Sequence, residues 1–106
     1  MPSWMTEPAV IAPVGELDLD SIGALAPQLD DAVAADCPRL ILDLSAVTLV
    51  DSSAFGAIMQ VQHRVSGQGR TLAVVAPNGS AAAVVLELTG LRSRFSVFPS
   101  RDAALE

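Results

Sequence analysis

The chain has 106 residues, 51% of them hydrophobic and 17% charged, which supplies enough apolar area to order one domain and too little length for two. Twelve acidic residues against six basic ones give a formal charge of -6, so a nucleic-acid backbone is repelled and nucleic-acid binding is not expected. No apolar run approaches the roughly 20 residues of a spanning helix and the N-terminus lacks a basic-then-apolar leader, which together read as a cytoplasmic protein without membrane insertion.

No repeat, low-complexity tract or charge block divides the sequence, which reads as a single domain over residues 1–106. Pro2 and Pro8 bracket Trp4 and Met5 in a short edge strand or a loose arm. Ala9 to Val14 is a buried strand punctuated by Gly15. The acidic stretch Glu16, Asp18, Asp20 follows, and Asp20 or Ser21 is positioned to cap a helix with Ile22, Leu25, Leu29 and Val33 on its apolar stripe. Pro27 falls inside that pattern, so this helix is either kinked there or starts later than the cap suggests.

Arg39 to Leu44 is nearly continuous in apolar residues, the pattern of a central strand buried on both faces. Val47 to Val50 leads into Asp51-Ser52-Ser53, and a second helix is expected from Ala54 to about Ser66. Ala54, Ile58, Val61 and Val65 form its apolar stripe, Phe55 and Met59 flank it, and Gly56, Gln60, His63 and Arg64 face away. Gly67 and Gly69 end it. Thr71 to Ala76 is a third strand, and Pro77, Asn78 and Gly79 mark a turn. Ser80 caps a third helix through Val84, Val85 and Leu88 that stops at Gly90. A short strand from Phe95 to Phe98 and the start of a last helix after Ser100 complete an α/β pattern. It predicts a small mixed, mainly parallel sheet of about four to five strands with one antiparallel neighbour and about four helices packed on it.

The residue types of nucleophilic catalysis are present in Asp51, Ser52 and His63, but Ser52 and His63 lie eleven positions apart on one predicted helix. That separates them by about 16 Å, where proton transfer needs about 3 Å. His63 is the only histidine, so no catalytic residue is assigned and no enzyme is expected. Cys37, the single cysteine, has no partner for a disulfide or a zinc site, and its neighbour Asp36 disfavours a thiolate. Gly67 and Gly69 follow a helix and precede a strand, the reverse of a phosphate-binding loop. Glu16, Asp18, Asp20 and Asp43 are conceivable metal ligands or acid/base partners, yet solvated loop charges and the helix macrodipole account for them, and no metal or cofactor is expected. What remains is Asp51-Ser52-Ser53-Ala54, where polar residues beyond the need of a cap follow an apolar strand and small neighbours leave the hydroxyls open to a partner.

The stretch Leu42-Asp43-Leu44-Ser45-Ala46-Val47-Thr48-Leu49-Val50-Asp51-Ser52-Ser53-Ala54-Phe55 resembles the signature of STAS domains, especially bacterial anti-sigma factor antagonists. Gly15-Glu16-Leu17-Asp18 and Thr89-Gly90-Leu91 resemble two further motifs of that family, so the likeness spans most of the chain. It implies that Ser52 is phosphorylated by a partner that is both anti-sigma factor and serine kinase. On this reading the unphosphorylated form binds the kinase, and a metal-dependent serine/threonine phosphatase restores it. Glu16, Asp18, Asp51, Ser52, Ser53 and Ala54 would then form the partner-binding surface. Ala54 stands where the family usually has glycine, and Phe55 where a smaller aliphatic side chain is common. The alternative implied by the same resemblance is a constitutive STAS subunit of a lipid-transport ABC complex or of a stress-sensing assembly.

Overall fold

Short apolar strands that alternate with capped helices are committed to crossover connections, and the backbone follows that plan. A computed structural model describes residues 8–35 and 39–106; the arm with Trp4 and Met5, and Cys37, lie outside the described residues. In chain order the elements are β1 (Ala9–Ile11), β2 (Gly15–Leu17), α1 (Leu19–Ala34), β3 (Arg39–Asp43), β4 (Val47–Val50), α2 (Ser52–Gly67), β5 (Thr71–Val75), α3 (Ala81–Thr89), a 3-10 turn (Leu91–Arg94), β6 (Ser96–Phe98) and α4 (Arg101–Leu105).

Four strands make one sheet in the order β1-β3-β5-β6, and β2 pairs with β4 in a separate ladder. All four ladders among the described residues are parallel. The antiparallel neighbour expected from the sequence is not among them, because α3 carries the chain back across the sheet before β6 and delivers it in the same direction as β5.

Each step across the larger sheet goes the same way, so right-handed crossovers place α1, α2 and α3 on one face. Alternation along the strands then divides the core. Leu40, Leu42, Leu72 and Val74 belong to the cluster that also holds Leu25, Leu29, Ile58, Val65 and Leu86. Ile41, Ala73 and Val75 point to the opposite face, where Ala104 of α4 and Phe98 cover them. Burial on both faces is what the unbroken apolar reading of β3 anticipates.

Three helix details depart from the sequence reading. α1 is capped by Asp18, and Ser21 is the third helical residue of that cap instead of the cap itself. The helix also runs through Pro27 without starting later; the carbonyl that loses its helical donor belongs to Gly23, and both residues sit on the exposed side. In α3 the buried residues are Ala82, Ala83 and Leu86, whereas Val84 and Leu88 face out. Ser80 and Gly90 bound α3 as expected, Gly90 adopting the left-handed conformation at φ 71°.

Asp43 is the buried charged residue of the described core, at 7% exposure. Its carboxylate accepts hydrogen bonds from the Ser45 amide at 2.9 Å and hydroxyl, and from Arg101 Nε at 2.9 Å, which fastens α4 to the end of β3. Burial pushes this carboxyl up, but the Ser45 and Arg101 donors outweigh it and hold it below its ordinary value of 3.8. A depressed folded-state pKa contributes stability that is complete above 3.8 and lost as pH falls through the folded value. Asp43→Asn should therefore lower the unfolding free energy at pH 7 by about 2 kcal/mol in urea titrations. The same variant should lose less stability than the parent when both are taken below pH 3.8. Equal stability of the two proteins at pH 7 would show that the cluster holds nothing together.

Candidate functional site at two adjoining helix N-termini

The β2–β4 ladder sets Leu17 opposite Val50, and each strand runs within two residues into a helix. The starts of α1 and α2 are thereby side by side. Asp18 closes the first: its Oδ1 accepts from the Ser21 amide at 2.9 Å and the Asp20 amide at 3.1 Å, while Ser21 Oγ accepts from the Asp18 amide at 2.9 Å. Ser21 Oγ also donates to the Glu16 carbonyl at 2.7 Å, which ties the strand to the helix it feeds. The Ser21 amide and hydroxyl and the Asp20 amide hold the Asp18 carboxyl below the usual carboxylate range, so it is an anion at neutral pH.

Asp51 closes the second and reaches the first. Its backbone amide donates to the Leu17 carbonyl at 2.9 Å, its Oδ1 accepts from the Ala54 amide at 2.9 Å, and its Oδ2 accepts from the Leu19 amide at 3.1 Å. One carboxylate therefore serves both helix starts. Ser52, the first residue of α2, is consequently relieved of capping: it is exposed, and its hydroxyl has no hydrogen-bond partner among the described residues. Ser53 is exposed next to it in the helix, and Glu16 is exposed in β2 opposite Leu49.

The predicted site residues are thus brought together with one exception. Ala54 is 0% exposed, with its methyl group in the core, so its side chain offers a partner nothing. His63 lies on the exposed side of α2, eleven residues from Ser52, which keeps the two about 16 Å apart as the spacing required. Asp43 is fully engaged with Ser45 and Arg101, and among the described residues no group of His, Cys, Asp and Glu could hold a metal ion.

Next to Ser52 the surface opens into an apolar groove of about 350 Å³ between α2 and α3, with Phe55, Met59, Val85 and Leu91 as its walls and Asp51, Ser52 and Thr89 at its edge. Phe55, at 7% exposure, is largely spent on the core. The residues from α3 and the 3-10 turn were not assigned to a site from the sequence; the only signal of their involvement is the Thr89-Gly90-Leu91 motif. The chain turns at Gly90 and so brings Leu91 back toward α2.

A STAS domain family model matches residues 6–104. The chain is 32% identical over 97 residues to the anti-sigma-F factor antagonist RsfB of Mycobacterium tuberculosis, covering 92% of this chain and 78% of that protein. An anti-sigma factor antagonist from Mycobacterium paratuberculosis superposes with a TM-score of 0.84 at 31% identity, over 92% of this chain and 82% of the other. The anti-sigma factor antagonist SpoIIAA in its unphosphorylated form shares the fold, with a TM-score of 0.73 at 18% identity over 92% and 84% of the two chains. The family match over most of the chain and the shared fold define its class. The chain belongs to the STAS domain family.

Asp51→Ala should cost about 1–2 kcal/mol of unfolding free energy and Asp51→Asn part of it, since the amide keeps one acceptor oxygen and turns an NH2 group toward the other backbone N–H. Ser52→Ala should change stability by less than about 0.5 kcal/mol. Chemical denaturation of the three variants measures this, and a Ser52→Ala penalty as large as that of Asp51→Ala would return Ser52 to a structural role.

Proposed function

We propose that this protein is an anti-sigma factor antagonist that binds an anti-sigma factor with serine-kinase activity and is released when that partner phosphorylates Ser52. A metal-dependent serine/threonine phosphatase would reset it. The observation that carries the proposal is the state of the Ser52 hydroxyl: exposed, without a hydrogen-bond partner among the described residues, and not needed as a cap because Asp51 fills that role. The 32% identity to an anti-sigma-F factor antagonist supports the partner class. Among the described residues no helix is long and apolar enough to cross a membrane.

A phosphate at Ser52 adds nearly two negative charges at the first turn of α2, where unpaired backbone N–H groups and the macrodipole favour an anion. The domain itself therefore tolerates the modification. A docked partner does not, since it must desolvate a dianion next to the carboxylates of Asp51 and Asp18. A penalty of about 4 kcal/mol weakens binding about a thousandfold. Glu16, Asp18, Asp51 and Ser53 frame the same surface, and the apolar groove beside them gives a partner area to bury.

Incubation with the cognate kinase and ATP should add one phosphate by intact mass, and none to Ser52→Ala. Ser52→Asp should keep its far-UV spectrum and bind the kinase at least a hundredfold more weakly. Equal labelling of Ser52→Ala would move the site elsewhere, and no labelling of the parent would favour a constitutive subunit.

A further inference from the structure

Cations are few on this chain, and most are engaged within it. Arg39 donates to the Ala104 carbonyl, Arg64 pairs with Asp30 at 2.8 Å, Arg70 donates to the Ala32 and Val33 carbonyls at the end of α1, and Arg101 holds Asp43. Arg92 and Arg94 of the 3-10 turn are different: neither guanidinium has a hydrogen bond or ion pair among the described residues. On a chain of net charge -6, the unneutralised arginines lie on one short turn.

Arg94 faces the second half of α2 across a pocket of about 230 Å³ whose other walls are Met59, Gln62, His63 and Ser66. The guanidinium, the imidazole and the Ser66 hydroxyl offer donors. The Gln62 side-chain oxygen is buried and offers an occupant no acceptor. An occupant that matches the pocket presents an anion to Arg94 and His63. Inorganic phosphate meets that need but cannot extend from the pocket along Met59 into the apolar groove. A peptide carrying Asp or Glu does both, the carboxylate matching the guanidinium fork and a neighbouring apolar side chain continuing toward the groove.

The pocket also has a direction. Met59 is shared between it and the apolar groove beside Ser52, and Ser52, Met59 and Ser66 recur every seven residues along one face of α2. That face is about 21 Å long from Ser52 to Ser66. We propose that the Arg94–His63–Gln62 pocket docks an acidic segment of a protein partner, with an Asp or Glu side chain on Arg94 and His63 and a neighbouring apolar side chain directed along Met59 into the groove. The assignment deepens the Ser52 reading by naming what the far end of the same surface recognises, and it rests on that reading only for this continuity.

The test does not require the kinase. The ¹⁵N-labelled protein is titrated at low salt with hexaglutamate, hexalysine and inorganic phosphate in separate series. Hexaglutamate should give saturable amide shifts centred on Gln62, His63, Ser66 and Arg94, and hexalysine should not. Arg94→Glu should weaken hexaglutamate binding at least tenfold while the rest of the spectrum stays dispersed, and Arg94→Gln gives the same reading with less perturbation of charge. Absence of localised shifts, or binding indifferent to both substitutions, overturns the proposal. Equal shifts from phosphate alone overturn it too, since they mark a general anion site. None of these results depends on Ser52 being phosphorylated, so failure of the pocket and failure of the phosphorylation reading are told apart.

Discussion

A single carboxylate fixes the geometry on which the site depends. Asp51 gives one oxygen to the Ala54 amide of its own helix and the other to the Leu19 amide of α1, while its backbone amide binds the carbonyl of Leu17. Each of these bonds satisfies a group that a strand end or helix start would otherwise leave open. Together they lock two helices and the β2–β4 ladder at one corner. Without the Asp51 carboxylate α1 and α2 would still pack through Leu25, Leu29, Ile58 and Val65, with the β2–β4 ladder alone left to align their N-termini.

The consequence for Ser52 is one of division of labour. Serine at a helix start is ordinarily explained by capping. Here the preceding aspartate has taken that role with better charge complementarity to the macrodipole, so the hydroxyl one residue on is free of structural duty. Exposure and freedom from duty are separate conditions for a modifiable residue, and Ser52 meets both among the described residues. Ser80 and Ser100 show the contrast: each caps its own helix by accepting the amide of Ala83 or Ala103, so a modification there would compete with the fold.

How far the sequence revealed this can be judged from particular residues. The central strands β3 and β5 were legible because burial on both faces demands unbroken apolar runs, and Ser80 with Gly90 bracketed α3 without ambiguity. The Asp51-Ser52 junction was legible as a place, while the second hydrogen bond of Asp51 to Leu19 spans thirty-two residues and leaves no local trace. Asp18 was passed over as a cap in favour of Asp20 or Ser21 because local pattern alone does not say which oxygen the first turn will use. The β2–β4 ladder was obscure for a related reason: β2 has three residues, and in β4 only Val47 and Val50 are buried, so neither strand alternates. In α3 apolar residues occupy nearly every position, and periodicity cannot choose a face. Close approach to the sheet chose it, turning Ala82, Ala83 and Leu86 inward and leaving Val84 and Leu88 outside.

The outer face of α2 is electrically polarised, and that bears on how a phosphate can act. Asp18 and Asp51 make its N-terminal end acidic, and Arg94 with His63 lies toward its C-terminal half. Ser52 and His63 are separated by about 16 Å along the helix. At physiological ionic strength the Debye length is about 8 Å, so a charge placed on Ser52 is largely screened before it reaches Arg94. A phosphate there therefore neither recruits nor repels through the field at the far pocket. Its effect has to be local, in the desolvation of a dianion where a partner presses on the helix start, and a partner held at both ends of the face loses one anchor while the other is left intact.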